Sequence, residues 1–198
     1  MTRELYLIRH GRTLFNDKRV IQGWCDSPLT DEGVEMARRV GRYLEHERIV
    51  FDHAYTSTLT RAQQTMACIT DMSFERLDGL REWGFGAFEA ERVSLMPPFP
   101  WGDFFVPFGG EGQLQVRERV CATLAELMER PGHRRIIAVS HGSACREFLT
   151  RWGGDARFAT GGVPGNCSIM RFSYDDGAFA LEQIIEQEQQ RALLGECE

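Results

Sequence analysis

The chain has 198 residues, 42% of them apolar and 26% charged, with a net charge of 23 − 29 = −6. That length fits one domain of the common size of roughly 150 residues plus a small insertion, and the composition excludes wholesale disorder. No apolar run approaches the roughly 18 residues of a membrane span. The acidic balance excludes broad electrostatic binding to nucleic acid or to an anionic membrane, so an anion must be held by a local cluster of cations.

In chain order, the start Met1-Thr2-Arg3-Glu4-Leu5-Tyr6-Leu7-Ile8 is cut off by Arg9-His10, too early for a signal peptide. Leu5–Ile8, followed at once by Gly11, reads as a buried strand. Thr30 is placed to cap a helix whose Val34, Ala37, Val40, Gly41 and Leu44 recur at three- and four-residue spacing. Ala54–Ser57 reads as a second strand. Thr58 is placed to cap a helix running through Ala62, Thr65, Met66 and Ile69, and Glu75–Leu77 reads as a weak third strand. A segment at about 90–110 contains Pro97-Pro98-Phe99-Pro100-Trp101 through Phe108, too rich in proline and aromatics for a helix or a central strand. It reads as an inserted lid or rim, with a substrate-stacking wall or a dimer contact as the competing uses. Gln113 to Arg130 is helical, with Val116, Val120, Leu124, Leu127 and Met128 inward, and Pro131-Gly132 stops it. Arg135–Ser140, β-branched and apolar, has the pattern of a central strand. Cys145 to Trp152 reads as a helix. Ser168–Phe172 and Phe179–Glu182 flank Asp175-Asp176-Gly177, a hairpin signal. Gln183 to Glu198 is acidic and Gln-rich, a frayed or a packing tail. This alternation predicts an α/β fold: a three-layer αβα sandwich, its sheet mainly parallel with an antiparallel edge, in one domain over 1–198.

Six cysteines, at 25, 68, 121, 145, 167 and 197, contain no Cys-x-x-Cys pair, so neither a metal knuckle nor a redox pair is expected. Reduced thiols in a cytoplasmic protein are the simplest reading. Lys18 is the single lysine, which reads as genome composition.

Arg9-His10-Gly11 lies where the first strand ends, and Ser140-His141-Gly142 where the strongest strand ends. Ligands of open α/β sheets bind outside the carboxyl ends of strands. A lone histidine after a strand is usually a polar loop residue. Arg9 changes the reading, because a cation ending an apolar strand is costly unless it meets an anion.

Leu7-Ile8-Arg9-His10-Gly11-Arg12-Thr13 resembles the signature of the histidine phosphatase superfamily, the phosphoglycerate mutase-like proteins. Further motifs follow in order. Asn16 with Gln22-Gly23-Trp24 resembles the loop closing the phosphate pocket, and Pro28–Gly33 the helix start behind it. Thr56–Thr65 is similar to the second arginine motif, Leu80–Glu89 to the acid-donor motif, and Ser140-His141-Gly142 completes the set. The resemblance spans residues 5 to about 173.

The resemblance implies a phosphomonoesterase working through a phosphohistidine, with His10, Glu82, His141, Arg9 and Arg61 catalytic. Arg9, Asn16, Gln22, Gly23, Arg61, His141 and Gly142 would bind a small phosphorylated substrate or the phosphate ion. Neutral imidazole is a good nucleophile near neutral pH, and two guanidinium groups neutralise phosphoryl charge without a metal ion. No metal and no cofactor is therefore expected. His141 is expected to donate best when protonated. Glu82, beside Trp83 and Phe85, is the general acid, with Asp78 in reserve. Arg12, Arg76 and Arg81 are either substrate contacts or solvated surface arginines.

The sequence departs from the family pattern in three places. Gly110-Glu111-Gly112 stands where Gly-Glu-Ser is common, which leaves the role of Glu111 open. Ser143 stands where mutases favour Asn. The region between Glu82 and Glu111 is short and aromatic, with Arg92 its single cation, where mutases carry basic residues for a phosphoglycerate carboxylate. The rivals are a 2,3-bisphosphoglycerate-dependent phosphoglycerate mutase, a non-catalytic phospho-ligand binder and, more remotely, a zinc hydrolase. A homodimer is compatible with the sequence.

Overall fold

The computed structural model describes residues 3–196; Met1-Thr2 and Cys197-Glu198 lie outside the described residues. The strands are β1 (Arg3–Arg9), β2 (His53–Ser57), β3 (Phe74–Leu77), β4 (Arg135–Ser140), β5 (Ile169–Asp175) and β6 (Ala178–Ile185). They form one sheet in the order β3-β2-β4-β1-β5-β6. The first four run parallel; β5 lies antiparallel to β1, and β6 to β5. The helices are α1 (Leu14–Asp17), α2 (Asp31–His46), α3 (Thr60–Ile69), α4 (Gln113–Glu129), α5 (Gly142–Trp152), α6 (Ala156–Ala159) and α7 (Gln187–Leu194).

Side chains alternate across a strand, so a strand covered on both faces must be apolar at every position. β1 and β4 show this directly. Leu5, Leu7, Ile136 and Ala138 pack with Val116, Val120 and Leu124 of α4 and Phe148 of α5. Tyr6, Ile8, Ile137 and Val139 pack on the other face with Ala37, Val40 and Leu44 of α2 and Ala62 and Met66 of α3. Each fully buried aliphatic side chain contributes about 1.5–3 kcal/mol relative to exposure. The mainly parallel sheet with its antiparallel edge is as expected. The edge is closed by a two-residue turn at Asp176 (φ 45) and Gly177 (φ 78), whose positive φ values match the twist of a hairpin.

Two local readings change, and the course of two further segments is defined. Thr58 does not cap α3; its hydroxyl donates to Asp78 at 2.7 Å. The cap comes from Asp26 in another loop, whose carboxylate accepts the N–H groups of Thr60 and Arg61. A full negative charge suits a helix N-terminus better than a neutral hydroxyl. α5 begins at Gly142, not Cys145, so β4 runs into its helix through His141 alone. The Gln-rich tail packs. β6 extends to Ile185, and α7 follows with Gln190 fully buried, donating to the Cys167 carbonyl at 2.9 Å. The Pro- and aromatic-rich segment packs as a lid, with Phe105 fully buried against Trp83, Phe85 and Phe88.

Gly11, just after β1, packs against the first turn of α2 at Gly33. Its N–H donates to Thr65 Oγ1 at 2.9 Å. A Cβ there would lie 2.6 Å from the Gly33 carbonyl oxygen, which is backbone and cannot turn aside. Gly11→Ala is expected to cost about 1–3 kcal/mol through overpacking, read as a lower urea midpoint; a wild-type midpoint would refute the close approach.

Candidate active site

β1 and β4 are parallel neighbours, and Arg9 pairs in register with Ser140. The residues after them, His10 and His141, therefore emerge at one edge of the sheet, with ring centroids 5.1 Å apart. Both rings are buried. His10 Nδ1 lies 2.7 Å from the Gly11 carbonyl oxygen. A carbonyl only accepts, so Nδ1 carries the proton and Nε2 carries the lone pair. Burial, then the charges of Arg61 and Arg9, push the His10 pKa well below its ordinary 6.5. The ring is held neutral and its free nitrogen is nucleophilic.

His141 is arranged in the opposite sense. Its Nε2 lies 2.6 Å from Ser57 Oγ, which itself accepts the Leu59 N–H at 3.2 Å. Among the described residues the Ser57 hydroxyl has no other acceptor, so it donates to Nε2 and places the ring proton on Nδ1. That Nδ1 is buried and without a protein partner. Burial and the neighbouring Arg61 push the His141 pKa well below 6.5. Both influences favour the neutral ring, whose Nδ1–H is then the free donor.

The two arginines are fixed from behind. Arg9 Nη1 donates to the Pro164 carbonyl at 2.6 Å. Arg61 is fully buried, with Nη2 on the Gly23 carbonyl at 2.7 Å and Nη1 on the Cys25 carbonyl at 3.0 Å and on Asp26 at 3.1 Å. In each, the Nε–H is buried and unpartnered. Buried polar groups normally find partners. Here the three exceptions beside His10 are all donors: Arg9 Nε, Arg61 Nε and His141 Nδ1.

Glu82 completes the set. Its Oε1 accepts the N–H groups of Trp83 and Ala144, each at 2.9 Å, and its Oε2 accepts that of Ser143 at 3.1 Å. The carboxylate thus sits over the first turn of α5, immediately after His141. A carboxylate offers about four lone-pair sites. Three are occupied, and the fourth, on Oε2, is left for a proton. Trp24 Nε1 and Arg119 Nη2 hold the Glu82 carbonyl at 2.9 and 3.2 Å.

Glu82, Arg9, His10, Asn16, Gln22, Gly23 and Gly142 line one cavity of about 270 Å³; the buried Arg61 and His141 are not among its lining residues. The carboxamide oxygens of Asn16 and Gln22 both face Thr13, at 3.1 and 3.0 Å, which leaves both NH2 groups without an acceptor among the described residues. Gly23 is required by its left-handed backbone, φ 53. Gly142 is required by Arg9, since a Cβ there would lie 3.3 Å from the guanidinium carbon. A larger cavity of about 510 Å³ lies at the opposite end of the sheet, before β2, among Leu44, Ile49, Phe51 and Ile69, away from both histidines.

Several candidates stand outside the site. Arg12 pairs on the surface with Asp17 and Glu32. Arg81 pairs with Asp78 at 2.8 Å and lies over Trp24, and Arg76 lies over Phe74. Asp78, tied to Arg81 and Thr58, does not reach His10. Glu111 is buried, but it holds the Gly84 N–H and Arg119, both at 2.8 Å. Burial pushes the Cys145 thiol above its ordinary pKa, so it stays a packed thiol. Four contributors escaped the sequence reading: Ser57, Asp26, the Pro164 carbonyl, and Asn166, which donates to the His10 carbonyl at 2.9 Å. Asp26 caps a helix that starts more than thirty residues later, which no local pattern shows. A carbonyl leaves no trace in side-chain chemistry.

The model of the histidine phosphatase superfamily (branch 1) matches residues 5–187. A curated relative, the probable phosphoglycerate mutase GpmB of Salmonella choleraesuis (strain SC-B67), is 33% identical over 189 residues, covering 87% of this chain and 86% of that protein. Phosphoglycerate mutase from Bacillus anthracis str. Sterne shares the fold with a TM-score of 0.84 at 24% identity, over 98% of this chain and 97% of that one. Phosphoserine phosphatase from Entamoeba histolytica, solved with 3-phosphoglyceric acid, gives a TM-score of 0.76 at 26% identity, over 91% and 95%.

The buried histidines set a pH dependence. Both have folded-state pKa values below 6.5, so the unfolded chain binds more protons there, and stability is lost as pH falls below 6.5. Each histidine adds a slope of up to about 1.4 kcal/mol per pH unit. Urea midpoints taken from neutral pH downward are expected to fall, and less steeply in His141→Gln; equal slopes would contradict a neutral buried His141.

Proposed function

We propose that this chain, which belongs to the histidine phosphatase superfamily, is a metal-independent phosphomonoesterase acting on a small phosphorylated metabolite. The observation that carries this reading is the group of unpartnered buried donors beside His10. Arg9 Nε, Arg61 Nε and His141 Nδ1 are three donors, two of them on fixed cations, next to a lone-pair-bearing Nε2. A transferring phosphoryl group presents three equatorial oxygens and needs that neutralisation, with the nucleophile in line.

In the first half-reaction, His10 Nε2 forms a bond to phosphorus as the ester P–O bond breaks. The departing alkoxide takes the proton from Glu82 and leaves as the alcohol. In the second, water attacks the phosphohistidine, and the Glu82 carboxylate takes its proton. The P–N bond breaks, inorganic phosphate forms, and His10 and protonated Glu82 are restored. Arg9 and Arg61 hold the phosphoryl oxygens in both steps. A dication beside these two arginines would be repelled.

The name of the Salmonella relative favours a second reading, a 2,3-bisphosphoglycerate-dependent mutase. Arg9 is the one formal cation on the cavity surface among the described residues, which leaves a phosphoglycerate carboxylate without a partner.

The wild type is expected to release phosphate from alkyl phosphates without loss on EDTA treatment. His10→Ala should lose at least about 10³-fold. Glu82→Gln should lose about 10²–10⁴-fold on alkyl esters and less on p-nitrophenyl phosphate, whose leaving group needs no proton. Isomerisation of 3-phosphoglycerate outpacing phosphate release would favour the mutase, and wild-type rates in Glu82→Gln would remove its acid–base role.

A further inference from the structure

Beyond the phosphoryl pocket, the cavity wall is made by Val20, Phe85, Val93, Met96, Trp101 and Val163. None carries charge. Two arginines stand close in sequence, Arg19 and Arg92, but both are exposed. Val20 and Arg92 pair in an antiparallel bridge, and the Val93 N–H donates to the Arg19 carbonyl at 2.9 Å. Neither arginine is among the residues that line the cavity.

The Trp101 ring is pinned. Its Nε1 donates to the Pro97 carbonyl at 3.0 Å. Its face lies 4.6 Å from the Arg146 guanidinium, which also sits 4.5 Å from Phe99 and 5.5 Å from Trp83. Arg146 is 1% exposed; its Nε donates to the fully buried Glu147 at 3.2 Å, a carboxylate it shares with Arg117, and it is not among the residues lining the cavity. The cation therefore stiffens the wall from behind and does not reach the chamber. Cation–π contacts of this kind strengthen when desolvated.

On the phosphatase reading above, we infer that this chamber selects phosphate monoesters of uncharged, apolar alcohols about the size of one aromatic ring, with Trp101 as the stacking wall and Arg146 as the residue that positions it. The cavity of about 270 Å³ lies just under the roughly 300–1,000 Å³ usual for ligand pockets, which sets the size. A carboxylate or ammonium on the alcohol would lose water here and gain no counter-charge.

The test compares alkyl esters, so that leaving-group reactivity stays similar: 2-phenylethyl phosphate, glycerol 1-phosphate, phosphoserine and 3-phosphoglycerate. In the wild type, kcat/KM for 2-phenylethyl phosphate is expected to exceed that for phosphoserine by at least about ten-fold. Trp101→Ala should lower the ratio of kcat/KM for 2-phenylethyl phosphate over glycerol 1-phosphate. Arg146→Met should raise KM for 2-phenylethyl phosphate more than it lowers kcat. Val93 is half exposed and tolerant, and Val93→Arg should raise kcat/KM for phosphoserine. Wild-type turnover of phosphoserine or 3-phosphoglycerate equal to that of 2-phenylethyl phosphate overturns the substrate class, while His10-dependent phosphate release leaves the phosphatase reading standing. Release from none of the esters overturns both.

Discussion

Two guanidinium groups lie against an imidazole with little water between them. Burial first, and then these two like charges, disfavour a third positive charge on His10. The same two charges that add to this effect attract an incoming dianion. One electrostatic arrangement therefore prepares the nucleophile and recruits its target. It survives burial because each arginine spends its Nη groups on carbonyls, which carry no charge to cancel its own. Asp26 is the exception, and it is partly exposed at 31% of its side chain, which weakens its pull on Arg61.

The start of α5 does two jobs at once. His141 is its N-cap residue, and the amides of Ser143 and Ala144 hold Glu82. Glu82 and His141 are thus placed by a single rigid element, and both sit at the end of the strand beside the one that carries His10. Residues distant in sequence meet because adjacent parallel strands end level.

Much of this was legible beforehand. The unbroken apolar runs of β1 and β4 mark strands buried on both faces, and two His-Gly pairs at their ends place the catalytic edge. Asp175-Asp176-Gly177 announces its turn through local chemistry. What stayed hidden depends on contacts across the chain. Thr58 has the right side chain for a cap and lost to a carboxylate from another loop. Arg12 and Arg81 look like Arg9 and Arg61 in composition, but acidic neighbours on the surface hold them. The bias of His141 toward the neutral ring depends on burial depth, which no local pattern encodes. The α7 helix was obscured by its glutamines, since Gln190 is buried through hydrogen bonds and not through apolar surface.

Gln190 grips the Cys167 carbonyl, the Cys167 N–H holds the Arg9 carbonyl at 2.9 Å, and Pro164 in the same loop anchors the Arg9 side chain. The last helix is therefore mechanically continuous with the reaction centre, although no residue of it lines the cavity. Evolutionary drift at this end of the polypeptide is not free: shortening or re-routing α7 loosens the backbone that aims a guanidinium some 180 residues earlier.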